Sequence, residues 1–98
     1  MRIATVSVLV LFLGAAAGCA GNPNSSEAAR CDNGLRVAYR ELDFAKANGF
    51  DGTVEYSKAA GLLTAAKVQQ QFGKYPNCIE KVQRARAYIV KSRQSQNK

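Results

Sequence analysis

The chain has 98 residues, with 14 Lys and Arg against 7 Asp and Glu, for a net charge of +7. It contains no histidine, so the commonest general base, triad partner and metal ligand is missing at once. What remains is a small, basic, single-domain protein whose charge favours acidic or polyanionic neighbours and whose core needs a staple to be more than marginal.

Met1-Arg2 is a short positive start, and Ile3 to Leu13 is apolar apart from Thr5 and Ser7. The run then dissolves into Gly-Ala-Ala-Ala-Gly and, after Cys19, into the turn-rich "NPNSS". This is the layout of a secretory signal peptide, and it falls short of the roughly 20 apolar residues that a membrane span needs. Ala16-Ala17-Gly18-Cys19 resembles the lipobox of bacterial lipoproteins, with Ala16 standing where that family usually has Leu. The resemblance implies removal of residues 1–18, acylation of Cys19, and a lipid-anchored mature chain of 80 residues. It also implies an outer-membrane position facing the periplasm, since Ala20 rather than the inner-membrane retention signal Asp follows the cysteine. The same residues admit cleavage after an A-x-A-like site with Cys19 left as a thiol, or an uncleaved anchor. With Cys19 assigned to lipid, Cys31 and Cys78 form an even pair, and in an oxidising compartment such a pair is most simply a disulfide.

Residues 20–26, "AGNPNSS", read as a flexible tether that holds the domain close to the membrane. Cys31, Leu35, Ala38, Leu42 and Ala45 then recur on one face of a first helix. Its start is open between Ser26 and Asp32 as N-caps, Asn33-Gly34 is an awkward pair inside it, and Asn48-Gly49 ends it, with Phe50 placed to make the contact that follows a glycine C-cap. A second helix from about Val54 to Phe72 is apolar over a wide arc that includes Val68 and Phe72, as suits a central helix touching two partners. Gly73 ends it. Asn77 and Glu80 have capping-box spacing, so the third helix is expected from about Cys78 to Arg93, with Cys78, Val82, Ala85 and Ile89 inward. Two short turns make an all-α, three-helix up-down-up bundle in which Cys31 and Cys78 fall at the same level. The expected organisation is therefore a leader over 1–18, a lipidated tether over 19–26, a helical domain over 27–93 and a frayed tail over 94–98.

Gly73, Tyr75, Cys78, Ile79, Val82 and Ala85 stand at the spacing G-x-Y-x-x-A-I-x-x-Y-x-x-A, and the segment from Ala59 to Ile89 resembles a tetratricopeptide repeat. The match covers about a third of the chain, with Leu62 where the family usually has Trp and no second copy. It implies tetratricopeptide-like helix packing, and proteins of that family generally hold peptides or partner proteins in a groove.

No residue set supports catalysis: the carboxylates read as caps, turn residues or solvated charges, no C-x-x-C is present, and no glycine loop carries a G-K-[ST]. No enzyme activity, cofactor, metal, small-molecule substrate or nucleic acid is expected. The outstanding signal is the acid-free basic run after Glu80, in which Lys81, Arg84, Arg86, Tyr88 and Lys91 are candidate partner-binding residues. Arg93 and Lys98 continue the run, and a solvated helix face with cations near its C-terminus is the favoured account of it. Tyr39, Phe44, Tyr56, Tyr88 and Ile89 are further candidates for a partner groove or for core. Two functions fit: an accessory or adaptor lipoprotein that docks an envelope protein, or an electrostatic binder of lipopolysaccharide or cell-wall polymer through the third helix.

Overall fold

A computed structural model describes residues 21–96. The leader, Cys19 and Lys98 lie outside the described residues. Among the described residues the fold is all-α: α1 (Ser26–Ala47), a single 3-10 turn (Phe50–Gly52), α2 (Val54–Gln71) and α3 (Tyr75–Gln96) form an up-down-up three-helix bundle. None of these helices is long and apolar enough to cross a membrane.

Each helix start has a local cause. Ser25, rather than the expected Ser26 or Asp32, accepts the Ala28 N–H at 3.0 Å, and Thr53 accepts the Tyr56 N–H at 3.0 Å. Side-chain oxygens thus satisfy amides that have no helical partner. Glu27 and Glu55 add negative charge at the positive ends of α1 and α2. α1 stops at Asn48-Gly49, and Phe50 folds back against the core as the turn spacing implies. α2 stops in a Schellman turn: the Lys74 N–H donates to Gln69 O at 2.9 Å and the Gly73 N–H to Gln70 O at 3.0 Å. Gly73 has φ of 72°, a value that side-chain-bearing residues rarely adopt.

α3 differs from its expected form. It begins at Tyr75, not at Cys78, because Pro76 occupies the first turn, where no N–H is required, and the Cys78 N–H already donates to Lys74 O at 3.0 Å. Asn77 is therefore inside the helix, and its amide reaches Gln69 Oε1 at 3.4 Å instead of capping. Glu80 pairs with Arg84 at 3.7 Å rather than closing a capping box. The helix also runs past Arg93 to Gln96, where Ser95 donates to Glu55 Oε1 at 3.3 Å.

The core sits along two parallel seams. On α1 the buried positions are Ala28, Cys31, Leu35, Ala38, Leu42 and Ala45, and on α3 they are Tyr75, Cys78, Val82, Ala85, Ile89 and Ser92. Both series alternate steps of three and four residues, the spacing of a coiled-coil seam. They also run in step, each α3 position lying 47 residues after its α1 counterpart. Cys31 and Cys78 occupy the second layer and are joined, with Cα atoms 5.7 Å apart. α2 closes the bundle with Ala59, Leu63 and Ala66. Its apolar arc is narrower than expected, since Val68 and Phe72 face solvent at 42% and 65% exposure. Asn33-Gly34 does not interrupt α1: a Cβ at Gly34 would stand 3.1 Å from Val82 Cγ1, so the missing side chain is what lets α1 and α3 close up.

Candidate partner-binding faces

Four of the five basic-run candidates share one face. Lys81, Arg84, Tyr88 and Lys91 fall at i, i+3, i+7 and i+10 along α3, which stacks them on the side toward α2. Tyr88 is half-buried against the core, and its ring lies between two cations, Lys58 Nζ on α2 at 5.4 Å and Lys91 Nζ at 5.5 Å from the centroid. A shallow cavity of about 220 Å³ opens beside it, lined by Arg84, Ala87, Tyr88 and Lys91. Sequence reasoning missed Lys58, because only the antiparallel packing of α2 on α3 brings it there.

Arg86 is not part of that face. Two residues from Arg84, it points toward α1 and grips Glu41 with both arms, Nε to Oε1 and Nη2 to Oε2, each at 2.8 Å. This fork-on-fork ion pair holds the Glu41 carboxyl below its ordinary value; the Arg86 hydrogen bonds lower it most, partial burial opposes them, and the charges of Arg86 and Arg93 add to the lowering. The same contact raises Arg86. The guanidinium is thus engaged in joining α1 to α3.

A second face lies along the seam of α1 and α2, where the helices pack least closely. A groove of about 500 Å³ runs there, lined by Leu35 and Tyr39 with Arg36, Arg40, Lys67, Gln70 and Asp32 around them. Lys67 Nζ stands 5.7 Å from the Tyr39 ring centroid, and Arg36 is shared with Asp32 at 3.3 Å. The floor is therefore apolar and aromatic, and the rim carries three cations to one acid. The other aromatic candidates do not meet here. Phe44 is exposed beside Arg40, Glu41 and Arg93 on the α1–α3 side, Tyr56 is half-buried near the start of α2, and Ile89 is core.

The tether reads differently in three dimensions. Its described part is tied down rather than free: the Gly21 N–H donates to Gly73 O at 2.8 Å, the Asn24 N–H to Asn22 Oδ1 at 2.9 Å and the Ser25 N–H to Asn22 O at 3.0 Å. Gly21 thus lies against the turn between α2 and α3, and residues 22–25 close a local turn that leads into α1. No protein-family model matches this chain, and neither a curated protein nor a solved structure matches it.

Proposed function

We propose that this protein is a small lipid-anchored interaction module of a bacterial envelope, held by acylated Cys19 at the outer membrane and facing the periplasm. In this reading it has no catalytic role, and it docks an acidic, apolar-faced helix or peptide of an envelope protein in the α1–α2 groove. The observation that carries the reading is the groove itself: the half-buried Tyr39 ring, seated beside the buried Leu35, forms an apolar floor under a rim of Arg36, Arg40 and Lys67. Half-covered aromatic rings ringed by arginine are the residue types that anchor partners at interfaces. The leader, the lipobox-like cysteine and the single disulfide all suit an exported protein.

A second reading rests on Tyr88 with Lys58 and Lys91 at its ring and on Lys81 and Arg84 along the same face of α3, which suit an envelope polyanion such as lipopolysaccharide or cell-wall polymer. The two differ in position and in salt response. A photo-crosslinking side chain placed at Lys67 in the full chain should capture one envelope protein from native membranes whether it is irradiated in low or in high salt, and Tyr39→Ser should abolish that capture. Crosslinks only from position 81, formed on irradiation in low salt but not above physiological salt and lost on reversing Arg84, would replace the adaptor reading with the polyanion one.

A further inference from the structure

The chain enters the bundle by a fixed route. At position 21 a Cβ would lie 2.8 Å from Gly73 O and 2.8 Å from Tyr75 Cδ2, so the hydrogen bond from Gly21 to the α2–α3 turn requires a glycine there. From that docked residue back to Cys19 is two residues, a reach of at most about 7 Å. Whatever Cys19 is attached to therefore lies beside the α2–α3 turn. The same turn presents Phe72, 65% exposed at the end of α2, with Val68 one helical turn behind it and exposed Lys74 beyond it. The Schellman turn holds Phe72 in place, and the described residues leave it largely uncovered.

We infer that the α2–α3 turn is a membrane-contact surface: with Cys19 acylated, Phe72 seats at the boundary of headgroups and acyl chains and Lys74 meets the phosphates. The inference rests on the lipid-anchor reading of Cys19. An aromatic ring beside a cation is the side-chain pairing that favours the interfacial layer, and the docked segment fixes which end of the bundle meets it. The opposite end, with the Phe50–Gly52 turn and the C-terminus of α1, points away, so that the partner-binding faces run outward along the helices. Phe44 stands about 27 Å along α1 from its first residue.

The sequence contains no tryptophan, so one introduced indole reports alone. The full chain carrying Phe72→Trp or Phe44→Trp is expressed in a bacterium, palmitate incorporation at Cys19 is measured, and the purified protein is reconstituted into phosphatidylcholine–phosphatidylglycerol vesicles with brominated acyl chains. Bromolipid should quench the Phe72→Trp protein severalfold more than the Phe44→Trp protein, and only the former should emit at shorter wavelength. Adding Gly21→Val to Phe72→Trp should bring its quenching down to that of Phe44→Trp, with palmitate incorporation and helical circular dichroism unchanged. Palmitate incorporated but the indole at position 72 quenched no more than the one at position 44 overturns the membrane contact and leaves the anchor standing, as when a protein partner covers this turn. Quenching that survives Gly21→Val overturns the role of the docked segment. Absence of palmitate removes the anchor and the contact together.

Discussion

Gly61 and Gly34 are both helical glycines, and their surroundings give them opposite roles. Nothing lies within 4 Å of a Cβ built on Gly61, which is exposed on α2, so Gly61→Ala should raise stability by about 0.5–1 kcal/mol, read as a higher urea midpoint at unchanged slope. Gly34→Ala gains the same propensity but drives a methyl against Val82 at 3.1 Å, and it should be neutral or destabilising. The caps separate in the same way. Ser25→Ala and Thr53→Ala should each cost about 1 kcal/mol, because each removes the oxygen that accepts a first-turn amide. Asn77→Ala should cost well under that, since Asn77 caps nothing. A third contrast concerns pH. Glu41 titrates below the ordinary carboxylate value in the folded protein, so its pairing with Arg86 stabilises above that value and is lost as pH falls through the folded one. Both partners are partly exposed, at 49% and 38%, which limits the contribution to under about 1 kcal/mol. Glu41→Gln should be less stable than the parent protein at pH 7 and converge with it in acid, and added salt should shrink the gap.

At the scale of elements, the sequence was most legible where one signal acted alone. The α1 seam from Cys31 to Ala45, the stop at Asn48-Gly49 and the stop at Gly73 follow from periodicity and turn chemistry, and the structure has them in place. The start of α3 was misread because two signals competed. Asn77 and Glu80 have the spacing of a capping box, but Pro76 fits a first turn equally well, and burial of Tyr75 against the core decides for the earlier start. The arc of α2 is narrower for a related reason: Val68 and Phe72 are apolar but lie on the side of α2 away from Ala59, Leu63 and Ala66, and apolar character alone does not say that one face only meets partners. The candidate faces were only half legible. The stripe of Lys81, Arg84, Tyr88 and Lys91 lies within one helix and can be counted from spacing, whereas Lys58 beside Tyr88, Lys67 beside Tyr39 and Glu41 under Arg86 are contacts between helices.

For the whole molecule, the strongest agreement between sequence and structure is that two parallel seams, read separately, place Cys31 and Cys78 in one layer. Closing a loop of 47 residues should stabilise the fold by about 4 kcal/mol on chain-entropy grounds, a large share for a domain of this size. Reduction, or Cys31→Ser with Cys78→Ser, should therefore lower the melting temperature by well over ten degrees, as circular dichroism with and without reductant will show. The bond also has a mechanical consequence. Tension applied at the N-terminus enters at Gly21, passes along the first residues of α1 to Cys31 and crosses the sulfurs to Cys78, so that residues 32–77 sit in a bypass that bears no load. Pulled between its ends in an optical trap, the oxidised protein can release only the segments outside that bypass, and reduction should lengthen the fully stretched chain by roughly 150 Å. A protein tethered at one end and gripped along α3 by a partner would transmit force through a covalent strut while its middle helix stays folded.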